Sequence, residues 1–312
     1  MIQQTIFSFK IESTKIESTK ERLTAHGGLA LMAEFNHGIG LRELTDRYLP
    51  SPGSNRGFDP SVMVDSLVLM LRGGGRRLED LRELKQEQGL MRLIGRDEIP
   101  EPDTVGDWLR RMGDPSRGQE GLKGLGEVRD KINGRILKRD GIKQYTLDAD
   151  ATEIVGEKAD ALFTYNGNKG YMPMLGFLYE TAVCLYNEFQ EGNVAPAFRQ
   201  KEFYVQCNFN KEVKAEIGME RMPCGQSYAN AVFFRIGGIA YNLFIGFKRL
   251  SCPESWMKQT IATFRWKLVQ IAGRIVRHAG KTVLKLMIDL EKLELFKGIR
   301  HKSFELSLCP DG

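Results

Sequence analysis

The segment Tyr145–Thr152, YTLDADAT, constrains this chain most, because it is the one place where an apolar extended run carries paired carboxylates. Side chains of a strand alternate between its two faces, so Thr146, Asp148, Asp150 and Thr152 point one way and Tyr145, Leu147, Ala149 and Ala151 the other. The apolar set is expected to face the core and the acidic set to face the chemistry. Adjacent carboxylates repel unless a cation or a proton sits between them, and two hard oxygen ligands suit Mg²⁺ or Mn²⁺. Against this stands a plainer reading, in which the two Asp residues end a strand and cap the next turn.

The 312 residues allow two domains, or one with appendages, and 42% apolar content supports a sizeable core. A net charge of +5 and a pI near 8.8 lean toward nucleic acid over an acidic partner. Five scattered cysteines, Cys184, Cys207, Cys224, Cys252 and Cys309, form no C-x-x-C pair, so neither a disulfide framework nor a zinc site is expected, and a reduced cytoplasm fits. The N-terminal MIQQTIFSFKIEST has no basic region followed by a long apolar one, so no signal peptide is expected. Lys10–Lys20 is a short tandem duplication, KIESTKIESTK, read as a surface arm.

The pattern from Gly27 to Met112 is helical, with breaks at Pro50–Gly57, Gly73–Gly75 and Gly95–Pro102, and with Pro60 and Ser61 opening one helix. Thr104 with Asp107 resembles a capping box opening a helix that carries Trp108, Arg110 and Arg111. These helices, with Arg72, Arg76, Arg77, Arg110 and Arg111, form either a DNA-binding module of helix-turn-helix type or an ordinary solvated face. Gly113–Gly126 reads as a linker. The glycine clusters at Gly73 and Gly121 follow no apolar strand and lack phosphate-loop spacing, which excludes nucleotide binding of that kind. Ser227, in GQSYA, is expected to be a helix N-cap, and His26, His37, His278 and His301 to be surface residues.

Tyr228–Phe247 is apolar enough to raise a membrane span, but Arg235, Asn230 and Asn242 within it favour a buried core helix. From Phe247 to Leu286 nine cations (Lys248, Arg249, Lys258, Arg265, Lys267, Arg274, Arg277, Lys281 and Lys285) face one acid, Glu254. On helices bearing Trp256, Phe264 and Trp266, that imbalance is the clearest nucleic-acid footprint in the chain.

The run Tyr145–Phe189 resembles the start of the RNase H-like catalytic domain in DDE transposases of bacterial insertion sequences. NGNKGYMPMLGF resembles that domain's second and third strands, and MERMPCGQSYANAVFFRIGGIAYNLF the region after its catalytic glutamate. The resemblance implies Asp150, backed by Thr152, as the first metal-binding Asp, with Asp148 the lesser choice. It implies Mg²⁺ as cofactor, double-stranded DNA at element ends as partner, and a nucleoid-associated protein in a bacterial cytoplasm, with no membrane. The fold implied is α+β: a partial RNase H-like mixed sheet flanked by helical N-terminal and C-terminal regions. The expected division is an arm at 1–26, a helical and DNA-binding region at 27–112, a linker and helix at 113–140, partial strands at 141–206 and a basic helical region at 207–312.

Departures from the family pattern bear on mechanism. The chemistry needs three carboxylates on two metal ions. Between Asp150 and Cys207 the only further Asp is Asp160, before the third strand, whereas the family's second Asp lies after it. Anchoring the C-terminal family signature on Lys214 places its Tyr, Arg and Glu positions at Gln200, Phe203 and Cys207, and a thiolate is a soft ligand for a hard ion. Glu202, Glu212 and Glu216 are wrongly phased on a helix to replace that glutamate.

The reading is an internally deleted transposase joined at or next to Cys207, catalytically defective but retaining DNA contacts through Lys214, Lys248, Arg249, Arg265, Lys267, Arg274, Arg277, Arg110 and Arg111. Two alternatives stay open: an active enzyme whose carboxylates come from elsewhere or from a partner chain (a full-length transposase or a second copy), and a gene remnant without function. A deletion inside a sheet is also expected to leave Leu175, Phe177, Leu178, Val183 and Leu185 partly covered beside an open edge, with stability below the ~5–15 kcal/mol usual for a domain.

Overall fold

The structure is a computed structural model, and it describes residues 19, 21–54, 56–95, 98–195 and 221–308. Most of the duplicated KIEST segment, together with Gln200, Glu202, Phe203, Cys207, Glu212, Lys214 and Glu216, lies outside the described residues.

After a two-residue strand β1 (Leu23–Thr24), seven helices follow: α1 (Leu29–Gly38), α2 (Leu41–Tyr48), α3 (Pro60–Gly73), α4 (Leu81–Gln86), α5 (Gln88–Leu93), α6 (Pro102–Gly113) and α7 (Glu120–Asp140). The breaks fall where the glycines and prolines place them, and Pro60 opens α3 after Asp59. Strands β2 (Leu147–Ala151), β3 (Ile154–Val155), β4 (Leu162–Phe163), β5 (Lys169–Tyr171), β6 (Met174–Leu178) and β7 (Cys184–Glu188) come next. The long helix α8 (Ser227–Ser251), the short α9 (Ile261–Phe264), the hairpin β8 (Gly273–His278) and β9 (Lys281–Leu286), and α10 (Leu290–Leu308) complete the described chain.

The architecture is α+β, with three small three-stranded sheets in the orders β2–β6–β7, β3–β5–β4 and β1–β8–β9. Every pairing among the described strands is antiparallel, so no parallel strand makes a mixed sheet there.

Helix α8 is the axis of the core. It is apolar on all sides, as a helix packed on all sides must be: it lies against α3, α6, α7 and α10 and against strand β7. The side chains of Asn230, Arg235, Asn242, Lys248, Arg249 and Ser251 each meet a polar partner, which is why a charged helix can be buried. The Arg235 guanidinium donates to the carbonyls of Leu122 and Asn187 at 3.4 and 3.1 Å and lies beside the Tyr186 ring. Burial holds this guanidinium below its ordinary pKa, and the nearby Arg129 cation adds to that. The Asn230 side chain bonds both backbone groups of Cys224. With 89% of its most apolar window buried inside the protein, α8 is a core helix and needs no bilayer.

Several local expectations change. Gly113–Gly126 is no linker, because α7 begins inside it and Gly113, Gly121 and Gly124 are points of close packing. A Cβ on Gly124 would stand 2.2 Å from the Tyr48 carbonyl oxygen, and one on Gly113 would stand 2.1 Å from that of Tyr228. Thr104 lies inside α6, whose start is set by Pro102. Ser227 is the first residue of α8, and the Asp160 carboxylate, from the loop before β4, accepts its N–H, so a distant side chain does the capping. His26 is half-buried and hydrogen-bonded to Glu87 at 2.6 Å. The stretch after α9 contains the β8–β9 hairpin, so the basic run is helical only in its first half.

The expectation of a thinly covered sheet is overturned. Leu175, Phe177, Leu178 and Val183 are buried and Leu185 is half-buried, because α8 lies across them, with Phe177 edge-on to Tyr241 at 5.8 Å. The outer edge of β7 is also covered. The Asn242 side chain accepts from the Cys184 N–H at 2.8 Å and donates to the Cys184 carbonyl at 2.7 Å, Asn133 donates to the same carbonyl at 3.0 Å, and Arg235 takes the Asn187 carbonyl. A primary amide carries the donor and acceptor of a peptide group, so Asn242 occupies the place of a neighbouring strand.

Candidate catalytic strand and nucleic-acid interface

Strand β2 lies at the end of its sheet, paired to β6 in a register that sets Asp148 opposite Phe177 and Asp150 opposite Leu175. Directly opposed residues of an antiparallel pair share a face. Phe177 and Leu175 point into the core, so the acidic set of β2 lies on the core side, whereas Leu147 points outward and is exposed. This reverses the expected faces. The apolar residues of β6, a strand buried along its whole length, fix the orientation, and β2 follows its partner's register.

The two carboxylates thus meet different surroundings. Asp148 is 4% exposed and its Oδ1 is buried with no hydrogen-bond partner, while Asp150, nearer the end of the strand, is exposed. The neighbouring acids are engaged in holding the fold. Asp160 accepts from the Tyr171 hydroxyl at 2.6 Å as well as from Ser227, and burial together with this bond raises the Tyr171 pKa well above its usual value. Glu153 bonds the side chains of Thr164, Asn166 and Asn168 in the β4–β5 turn. Glu180 receives the backbone N–H of Thr146 at 2.9 Å and its hydroxyl at 2.8 Å, and these bonds lower its pKa.

A two-metal centre requires at least three converging acidic ligands. Among the described residues no group of three His, Cys, Asp or Glu is placed to hold a metal ion. Asp148 and Asp150 alone do not fit such a centre, and no catalytic step can be built on them.

The candidate cations divide into two groups. Three are structural. Lys248 is 7% exposed and donates to the Gln259 carbonyl at 2.8 Å, with its ammonium over the Phe244 ring. Arg249 forms a forked pair with the buried carboxylate of Asp140. Arg265 donates to the carbonyls of Arg72 and Leu71, closing the C-terminal end of α3. Arg110 is no such anchor: it pairs with Asp107 one turn earlier on α6, at the surface.

The others reach the surface. Lys267, Arg274 and Arg277 are exposed, Arg111 is half-exposed, and Arg274 pairs with Glu21 at 2.9 Å. Of the aromatics beside them, Phe264 is buried among Phe244, Phe247 and Trp256, and Trp266 is 74% exposed. Lys281 and Lys285 belong to the basic run, and the alternation in RIVRH and KTVLKL around Ala-Gly is a hairpin signal that places both on one strand.

No curated protein and no solved structure matches the chain. Residues 206–302 match the family described as transposase DDE domain group 1, a range that takes in α8, the β8–β9 hairpin and most of α10 but leaves β2 with Asp148 and Asp150 outside it. Over that segment, less than half of the chain, the sequence is similar to the DDE transposases.

Proposed function

We propose that this chain acts in DNA transposition as a transposase-derived DNA-binding protein, without the strand cleavage and transfer of its family, having lost an internal segment that carried the second Asp and the Glu. The observation that carries the reading is the state of the acids around β2. Asp160, Glu153 and Glu180 each hold a fold-defining hydrogen bond, leaving Asp148 and Asp150 without a third ligand among the described residues. Two further features support it. The family match begins at residue 206, beside Cys207, where the join is placed. The edge of β7, where more sheet could pair, is filled by Asn242, Asn133 and Arg235. DNA contact on this reading belongs to the exposed cations Lys267, Arg274 and Arg277, with Arg111 and Lys214 as further candidates, in a bacterial cytoplasm.

The purified chain, given Mg²⁺ or Mn²⁺ and duplex DNA carrying candidate element ends, is expected neither to nick nor to join it, alone or mixed with a full-length relative's ends. Metal-dependent cleavage that disappears in Asp150→Ala would overturn the reading in favour of an active enzyme.

A further inference from the structure

The β8–β9 hairpin is built to present charge. Its register opposes Arg274 to Lys285, Val276 to Val283 and His278 to Lys281, so these six side chains share one face. The other face carries Ile275 and Leu284, which pack inward, and, nearer the turn, exposed Arg277 and Thr282; a Cβ on Gly89 of α5 would stand 3.1 Å from Ile275. The strands meet at Ala279 and Gly280, both at positive φ (49° and 76°), as a two-residue hairpin turn requires. Arg274, Lys281 and Lys285 are exposed, and Val283 lies between the two lysines with its side chain also at the surface. No Asp or Glu occurs from residue 255 to residue 288. Opposing Arg274 to Lys285 on a solvated sheet face is unfavourable within the protein itself, since like charges directly across a ladder repel. Glu21 offsets part of this repulsion at Arg274, and an anion laid over Lys281 and Lys285 would offset the rest.

We infer that the outward face of this hairpin is a β-ribbon contact for duplex DNA, with Arg274, Lys281 and Lys285 neutralising backbone phosphates. The inference rests on the DNA-binding part of the proposed function and assigns it a surface. A ribbon of two strands, ~4.8 Å apart, is narrow enough to enter a major groove of ~12 Å. The contact is assigned to the phosphate backbone, where exposed cations position a protein on a duplex without reading its sequence. Glu21, paired to Arg274 at 2.9 Å, competes with the phosphates from the neighbouring edge.

The test is fluorescence anisotropy of the full chain with a labelled random-sequence duplex across a salt series. Each neutralised phosphate adds about −0.9 to the slope of log K against log [salt]. The triple variant Arg274→Gln, Lys281→Gln, Lys285→Gln is expected to flatten the slope by about 2 to 3 and to weaken binding roughly 10- to 100-fold near ~0.1 M salt. Replacing three exposed cations elsewhere, Arg42→Gln, Lys123→Gln and Lys131→Gln, is expected to leave the slope unchanged, and Glu21→Gln to tighten binding. Circular dichroism and the melting temperature check folding, and the double variant Lys281→Gln, Lys285→Gln, which keeps the Arg274–Glu21 pair, serves if the triple variant is unstable.

If the wild-type chain binds duplex and the hairpin variants keep its slope, or the control variant flattens it equally, the hairpin assignment is wrong while the DNA-binding reading stands. If the wild-type chain does not bind duplex, or binds vesicles of anionic lipid more tightly than DNA, both fall.

Discussion

The substitution Asn242→Ala tests whether α8 has replaced a missing strand. The Asn242 amide makes three hydrogen bonds, to the Cys184 N–H (2.8 Å), the Cys184 carbonyl (2.7 Å) and Asn133 Oδ1 (2.8 Å), and all three residues are buried. Truncation to alanine strands two of these groups. The Cys184 N–H and Asn133 Oδ1 lose their partner, while the Cys184 carbonyl keeps the bond from Asn133 at 3.0 Å. A buried polar group left unsatisfied costs about 1–3 kcal/mol, so the expected loss is roughly 2–6 kcal/mol, a large part of a domain stability of ~5–15 kcal/mol. For a chain of this size each kcal/mol lowers the melting temperature by ~2–4 °C, which places the shift near ~10 °C.

Urea unfolding followed by circular dichroism is the assay, and the midpoint should fall with the slope unchanged. Asn133→Ala alone should cost less, since Asn242 still holds both groups of Cys184. The double variant should fall short of the sum of the two, with a coupling of ~0.5–3 kcal/mol, because Asn242→Ala has already stranded Asn133. A loss under ~1 kcal/mol for Asn242→Ala, or strict additivity in the double variant, would refute the argument that this amide stands in for a strand.

Two further outcomes follow from the burial of acids. Asp148→Asn should raise stability by about 1 kcal/mol in urea unfolding, because it replaces a carboxylate whose buried Oδ1 has no hydrogen-bond partner with a neutral group of the same shape; a loss of stability would show that Oδ1 has a partner after all. Burial pushes the Glu87 carboxyl upward, but hydrogen bonds from His26, Thr24 and Ala25 outweigh it and hold its pKa below the ordinary value of 4.5. A carboxylate with a lowered folded pKa stabilises the fold at pH above its unfolded value, and that contribution disappears as pH falls through the folded one. Melting temperature should therefore drop more steeply below pH ~4.5 in the wild type than in Glu87→Gln, and parallel curves would remove Glu87 from the account.

The extent to which the site could be read from sequence differs from residue to residue. The D-x-D strand was legible because alternation and acid pairing are local properties. Its orientation was not, because Leu147 and Ala149 are too weakly apolar to compete with Leu175, Phe177 and Leu178 once β6 pairs beside them. The basic run was legible as charge. Its sorting was not, since Lys248, Arg249 and Arg265 are held by the Gln259 carbonyl, Asp140 and the end of α3, two of them more than a hundred residues away in sequence. Gly113–Gly126 misled for a related reason: glycine serves loops and close helix packing alike, and only the neighbouring Tyr48 and Tyr228 carbonyls decide between them.

The sequence by itself determined the helical region from Gly27 to Met112, the buried nature of α8, the α+β class and the local resemblance to DDE transposases, because each is carried by the periodicity or identity of residues close together in the chain. Tertiary structure alone decided which face of β2 meets the core, which cations remain at the surface, and whether a sheet without further strands has bare edges. Those outcomes depend on pairs such as Asn242 with Cys184, Arg265 with Leu71 and Asp160 with Ser227. A side chain's hydrogen-bonding capacity is written in its own residue type, but the partner that uses it is chosen only when distant segments pack together.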